Sequence, residues 1–161
     1  MRERQAVRHR RRTREFEAFV AGAAGRLLHA ATLLTAEPRE DNPRARRLLT
    51  AALSRTYAAW ERLRGEDPYE HTRQELATRF ARTAWHRRGP RTGDGVLARL
   101  TPQERLVLVL RLYEGVTEEQ AAAQLGLSAQ RVRAICTRAV AAMRSRPPAP
   151  AGPVPKAATP P

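Results

Sequence analysis

Apolar residues recur at three- and four-residue steps through most of this chain, the spacing that lines one face of an α-helix. Phe16, Phe19, Val20, Ala23, Leu27, Ala30, Ala31 and Leu34 mark out a first helix over residues 14–34. Leu48, Leu49, Ala52, Leu53, Tyr57 and Trp60 mark out a second over 43–64, and Leu76, Phe80, Ala84 and Trp85 a third over 68–88. Each stripe needs another to cover it, so residues 14–88 are expected to form one three-helix bundle. The periodicity breaks at Gly89-Pro90-Arg91-Thr92-Gly93-Asp94-Gly95, which places a linker over residues 89–99. Three shorter helices at 102–114, 118–125 and 129–145 build a second unit, 100–146. The fold class this predicts is all-α, with no internal repeat.

Helix starts are legible because capping residues precede proline, or stand three positions before Glu or Gln. Asn42-Pro43, Asp67-Pro68-Tyr69-Glu70, Thr101-Pro102-Gln103-Glu104 and Thr117-Glu118-Glu119-Gln120 follow this rule. A cap oxygen accepts an orphan backbone N–H, proline at the first helical position lacks one, and the Glu or Gln side chain reaches back. The two ends read differently. Residues 1–13 carry Arg2, Arg4, Arg8, Arg10, Arg11 and Arg12 against Glu3 alone, which predicts a disordered basic arm. Residues 147–161, mostly Pro and Ala, predict a disordered tail.

Charge changes the picture more than composition does. The formal net charge is +14, and with Lys156 the only lysine nearly all of it is guanidinium. Arginine stays charged and forks onto phosphates and guanine edges, so a polyanion is the natural partner. Charge alone does not separate nucleic acid from an anionic membrane surface, though nucleic acid is favoured; no uninterrupted run of about 18 apolar residues occurs and no apolar leader opens the chain. The expected location is cytoplasmic, without membrane insertion. The single cysteine, Cys136, permits no internal disulfide and fits a reducing compartment.

Residues Thr117 to Met143 carry the strongest functional pattern, because Ala122, Gly126 and Val132 fall at the spacing of a helix-turn-helix. Ala122 is small where the second helix crosses, Gly126 lets the chain turn, and Val132 anchors the second helix. Ser128 is placed to cap that helix, the element such folds offer to the major groove. Arg131, Arg133, Arg138, Arg144 and Arg146 lie between residues 128 and 146 with no carboxylate among them. Gln130, Arg131, Arg133 and Thr137 point away from the stripe of Val132, Ile135, Cys136, Ala139, Val140 and Met143. With Ser128 and Arg138 they are the candidate DNA contacts. The competing reading is a helical hairpin with a solvated arginine face. Cys136, on the stripe, reads as a core residue.

The stretch LTPQERLVLVLRLYEGVTEEQAAAQLGLSAQRVRAICTRAVAAMR resembles region 4 of the extracytoplasmic function sigma factors of bacterial RNA polymerase. Upstream, EFEAFVAGAAGRLLHAATLLT, RRLLTAALSRTYAAWERL and DPYEHTRQELATRFARTAWHRR resemble the successive helices of region 2 in that family. The resemblance spans about residues 15–146. It implies a transcription initiation factor whose region 4 reads the −35 promoter element and whose region 2 docks on core polymerase and opens and reads the −10 element. The implied partners are promoter DNA, core RNA polymerase and an anti-sigma factor. By the same resemblance Thr78, Arg82, Trp85, Arg87 and Arg88 are candidate −10 contacts, and Arg46, Arg47 and Thr50 occupy the polymerase-docking positions.

Three departures stand beside the match. Arg46 and Arg47 replace the family's acidic pair, Thr50 its usual Gln, and Thr78 a frequent Asn. The segment from Arg88 to Leu97 reaches about 30 Å, against a separation of order 60 Å between promoter elements at ~3.4 Å per base pair. Two alternatives follow: a helix-turn-helix regulator on a degenerated sigma scaffold that does not dock on polymerase, and a protein-interaction module. An enzyme is not expected, because no nucleophile and base come together. His9, His29, His71 and His86 are isolated, which leaves no metal spacing, and no cofactor is expected. Gly93-Asp94-Gly95 is too short for a phosphate loop. Of the tryptophans, Trp60 reads as core and Trp85 as the candidate for stacking on an unpaired base.

Overall fold

The computed structural model describes residues 2–85 and 95–145, the side chains of Arg2 and Trp85 excepted. The linker residues 89–94, the candidates Arg87 and Arg88, and the tail 147–161 fall outside the described residues. Helix α1 spans Arg2–Thr35, α2 Pro43–Ala59 and α3 Pro68–Trp85. A 3-10 turn at Leu97–Arg99 leads into α4, Pro102–Leu108, which passes into a π-helical turn at Val109–Tyr113. Helices α5, Glu118–Leu125, and α6, Ala129–Arg144, complete the chain. Among the described residues there is no strand.

The expectation of a disordered arm is corrected over residues 2–13, which are helical. Phe16 anchors α1 against Tyr57 and Trp60, with ring centroids 4.9 and 5.2 Å away. From such a nucleus each added residue gains a hydrogen bond for one residue fixed. Arginine is a good helix former, and repulsion of a few tenths of a kcal/mol per like-charged pair is too small to stop the helix. At the other end α1 stops where Ala36 takes a left-handed conformation, φ 53°. The second helix ends at Ala59 rather than at residue 64, and hydrogen-bonded turns then carry Leu63 into the core.

Thr101 and Thr117 form complete capping boxes with Glu104 and Gln120, and Asp67 accepts the Tyr69 N–H at 2.9 Å. Asn42 does not cap α2 with its side chain. Its amide is buried and committed elsewhere, donating to Thr32 Oγ1 and to the Arg39 carbonyl while accepting from Arg46 Nε. Glu37 takes over, its carboxylate accepting the Arg44 and Ala45 N–H groups at 3.0 and 2.8 Å. Burial pushes that carboxyl up, but these two N–H groups and the Arg44 guanidinium outweigh it and hold it below the usual range.

One apolar cluster runs through both expected units. Leu27, Ala30 and Leu34 of α1, Ala52 of α2 and Leu76, Ala77 and Phe80 of α3 share it with Leu106, Val107, Leu110, Val132 and Ile135. The inner face of α1 is therefore covered, although by length and composition this helix could also cross a bilayer. Two polar clasps join the halves as well. Arg105 donates from Nε to the Leu34 carbonyl at 2.8 Å and from Nη1 to the Leu97 and Leu100 carbonyls at 3.2 and 2.8 Å. It thus closes the C-terminal end of α1, where carbonyls lack helical partners. Glu114, brought inward after the π turn, accepts from Tyr69 Oη at 3.0 Å and from Arg26 Nη2 at 3.3 Å. Burial first, and then that acceptance by Glu114, push the Tyr69 hydroxyl well above its ordinary range.

Candidate nucleic-acid interface

Helices α5 and α6 meet through a turn that each residue type dictates. Gly126 ends α5 in the left-handed region, φ 66° and ψ 34°, and its N–H returns to the Ala122 carbonyl. A Cβ at Gly126 would meet nothing within 4 Å, so backbone conformation, not a clash, demands glycine. Ser128 opens α6, its Oγ accepting the Arg131 N–H at 3.1 Å. Val132, Ile135 and Ala139 are fully buried on the inner face, and Ala122 is buried where the helices cross.

The opposite face of α6 is open. Ser128, Gln130, Arg131, Arg133, Thr137 and Arg138 are all exposed on it. Ser128 has its oxygen committed to the cap, leaving the hydroxyl hydrogen to donate outward. The Arg131 guanidinium makes no hydrogen bond with any described residue, and it stands in the first turn, the part of a recognition helix that meets base edges. Arg133 and Arg138 are engaged. Arg133 donates from Nη2 to Glu118 at 2.8 Å and from Nε to both carboxylate oxygens. Arg138 Nε donates to Glu104 at 2.9 Å.

Sequence reasoning missed Glu104 and Glu118 as the counter-ions of these arginines. The available signal was the acidic start of α5 beside a helix with no carboxylate of its own. Hydrogen bonding from Arg133 holds the Glu118 carboxyl below its usual range. Burial pushes Glu104 up, but the Thr101 N–H and the Arg138 guanidinium more than compensate. The exposed Arg133–Glu118 pair contributes little net stability, so a phosphate can displace that carboxylate, whereas Glu104 is buried and held by its capping box as well as by Arg138. Cys136 is half-buried and burial pushes its thiol up, which fits a packing role.

The other candidates lie on the first three helices. Arg82 is exposed on α3 and Thr78, one turn earlier, is half-buried on the same face. Arg46, Arg47 and Thr50 are exposed on α2. Arg46 Nε donates to Asn42 Oδ1 at 3.0 Å, and Thr50 Oγ1 donates to the Arg46 carbonyl at 2.9 Å. Trp60 is half-buried and packs edge-on to Phe16, in an aromatic cluster with Phe19 beside the main apolar core rather than within it. Among the described residues no group of His, Cys, Asp and Glu could hold a metal ion.

A capped, arginine-bearing helix presented outward by a left-handed glycine turn defines a helix-turn-helix DNA-binding protein. The family model for Sigma-70, region 4 matches residues 96–145. The chain is 30% identical to the RNA polymerase sigma-E factor of Streptomyces coelicolor, covering 81% of this chain and 84% of that protein. It is 31% identical to the RNA polymerase sigma-E factor of Streptomyces avermitilis, covering 81% and 83%. No solved structure matches. The chain belongs to the extracytoplasmic function branch of the RNA polymerase sigma factors.

Proposed function

We propose that this chain directs core RNA polymerase to promoter DNA in the cytoplasm, with residues 100–146 reading the −35 duplex through the outer face of α6. Residues 14–88 serve polymerase docking and the −10 element, with Thr78, Arg82, Trp85, Arg87 and Arg88 toward DNA and the α2 face of Arg46, Arg47 and Thr50 toward polymerase. The observation that carries the reading is the exposed Arg131 guanidinium in the first turn of a capped recognition helix. Sequencing RNA made in vitro from genomic DNA by core polymerase, with and without the chain, tests it. Discrete start sites that need the chain are expected, and their absence overturns the reading.

Arg131 and Arg133 are assigned different work. Arg131→Ala should cost about 1–3 kcal/mol on the preferred duplex and flatten the preference at one position, as loss of a base-edge contact does. Arg133→Ala should weaken binding to all sequences and make the salt dependence shallower by about one, as loss of a phosphate contact does. Equal losses on specific and random duplexes for both variants, read by fluorescence anisotropy, would remove the base-reading role.

One observation favours a second reading, a DNA-binding regulator that does not dock on polymerase. Arg46 and Arg47 present exposed guanidinium where the family resemblance calls for carboxylates, and like charges facing each other across an interface cost several kcal/mol. On that reading the natural chain binds core polymerase poorly, and Arg46→Glu with Arg47→Asp raises the affinity at least tenfold, about 1.4 kcal/mol. Tight binding by the natural chain, weakened by the swap, excludes it.

A further inference from the structure

Helix α1 begins well before the bundle needs it. From Glu3 to Arg11 every residue is exposed, so no face of this stretch packs on anything. The packed part starts at Arg12. Its guanidinium lies 4.2 Å over the Tyr57 ring and donates to the Tyr57 carbonyl, beside the contacts of Phe16 with Tyr57 and Trp60. Residues before this anchor continue the same helix outward. They form an arm whose direction is set by an aromatic clamp.

The charge on the arm works against the helix that carries it. From Arg4 to Arg14 there are six arginines and no carboxylate. Arg4 with Arg8, Arg8 with Arg12, and Arg10 with Arg14 are four apart, the spacing at which like charges repel along a helix. Cations near a helix N-terminus also oppose its dipole. A face built only for solubility mixes signs, as happens just beyond, where Arg11 donates to Glu15 at 2.7 Å. Apart from Glu3 at its tip and the Arg11–Glu15 pair at its base, the arm does not mix them. A dense row of negative charge would remove both penalties.

Arg4, Arg8 and Arg11 fall on one side of α1 and span about 10 Å at ~1.5 Å per residue. That distance covers about three base-pair steps of the duplex axis at ~3.4 Å each. We propose that the N-terminal arm of α1 is a second DNA-binding element, a sequence-independent phosphate clamp in which Arg4, Arg8 and Arg11 lie along the backbone of the duplex. DNA is favoured over an anionic membrane because the arm has only one large apolar side chain, Val7, exposed to enter lipid, whereas interfacial helices bury a whole apolar face. The proposal rests on the reading of the chain as a duplex-binding protein, and it adds a contact that the helix-turn-helix does not supply.

The test uses the full chain, a fluorescein-labelled 40-base-pair duplex of random sequence and a potassium chloride series. The triple variant Arg4→Gln, Arg8→Gln, Arg11→Gln keeps good helix formers at each position, and circular dichroism reports whether the helix is retained. Its salt dependence should be shallower by about two to three, with at least a tenfold weaker affinity at 50 mM salt. The matching lysine triple variant should recover the wild-type slope to within about one, since point charge is enough for phosphate. In parallel, Arg131→Gln reads the helix-turn-helix alone and should change the slope by no more than about one. An unchanged slope in the glutamine triple, with Arg131→Gln still weakening binding to a preferred duplex, overturns the clamp and leaves the functional reading standing. No binding of the natural chain to any duplex overturns both. Vesicles of phosphatidylglycerol and phosphatidylcholine form the last arm. If the glutamine triple loses vesicle binding while keeping its duplex slope, the arm is a membrane contact and the proposal fails.

Discussion

Gly126→Val should destabilise the helix-turn-helix by about 2–3 kcal/mol and abolish DNA binding at the same time. The glycine sits at φ 66°, where an L residue pays about 1–2 kcal/mol and a β-branched one pays more. Open space around its Cβ position gives the expectation a graded form. Gly126→Asn should be nearly neutral, because asparagine tolerates the left-handed region, and Gly126→Ala should cost about 1 kcal/mol. Urea denaturation and duplex binding of the three variants check the order. Were asparagine as harmful as valine, side-chain size rather than backbone conformation would be the cause, and the geometry described for this turn would be wrong.

Arg105→Ala should lower stability by about 3 kcal/mol, because one cationic side chain serves three carbonyls and each such bond is worth about 1 kcal/mol or more. For a chain of this size that is a fall in melting temperature of about 10 °C. Arg105→Lys keeps the charge but not the fork, so it should recover only part of the loss. Burial lowers the pKa of this guanidinium, yet arginine stays protonated across the working range, so the effect should not depend on pH. A melting temperature within about 2 °C of the natural chain for Arg105→Ala would mean that the apolar cluster and the Glu114 clasp join the halves without it.

How far the sequence revealed this structure depends on how far apart the interacting residues lie. The caps at Thr101, Thr117 and Ser128 and the turn at Gly126 are fixed by residues within four positions, and each was legible. Asn42 looked like a cap by the same local rule. It lost the role because Thr32 and Arg39 engage its amide and Glu37 reaches the free N–H groups, contacts that only the folded hairpin of α1 and α2 creates. The arm was misread for a related reason. Counting charges weighs repulsion but not propagation from a nucleus held by Tyr57 and Trp60. In the candidate interface the exposed face of α6 followed from periodicity, whereas the carboxylates that hold Arg133 and Arg138 come from 15 and 34 positions away. The Arg105 and Glu114 clasps had no sequence signal at all, since nothing in either half announces the other.

The seam between the halves has a thermodynamic consequence. A partner that engages the two halves only when they stand apart must supply the free energy of breaking the shared cluster and both clasps. By linkage, whatever the seam contributes to holding the halves together is subtracted from that partner's apparent affinity, tenfold for each 1.4 kcal/mol. Leu34, Arg105, Tyr69 and Glu114 therefore act as a tuning dial at a distance. Substitutions there reset the concentration at which such a partner is captured while leaving every DNA-facing side chain unchanged.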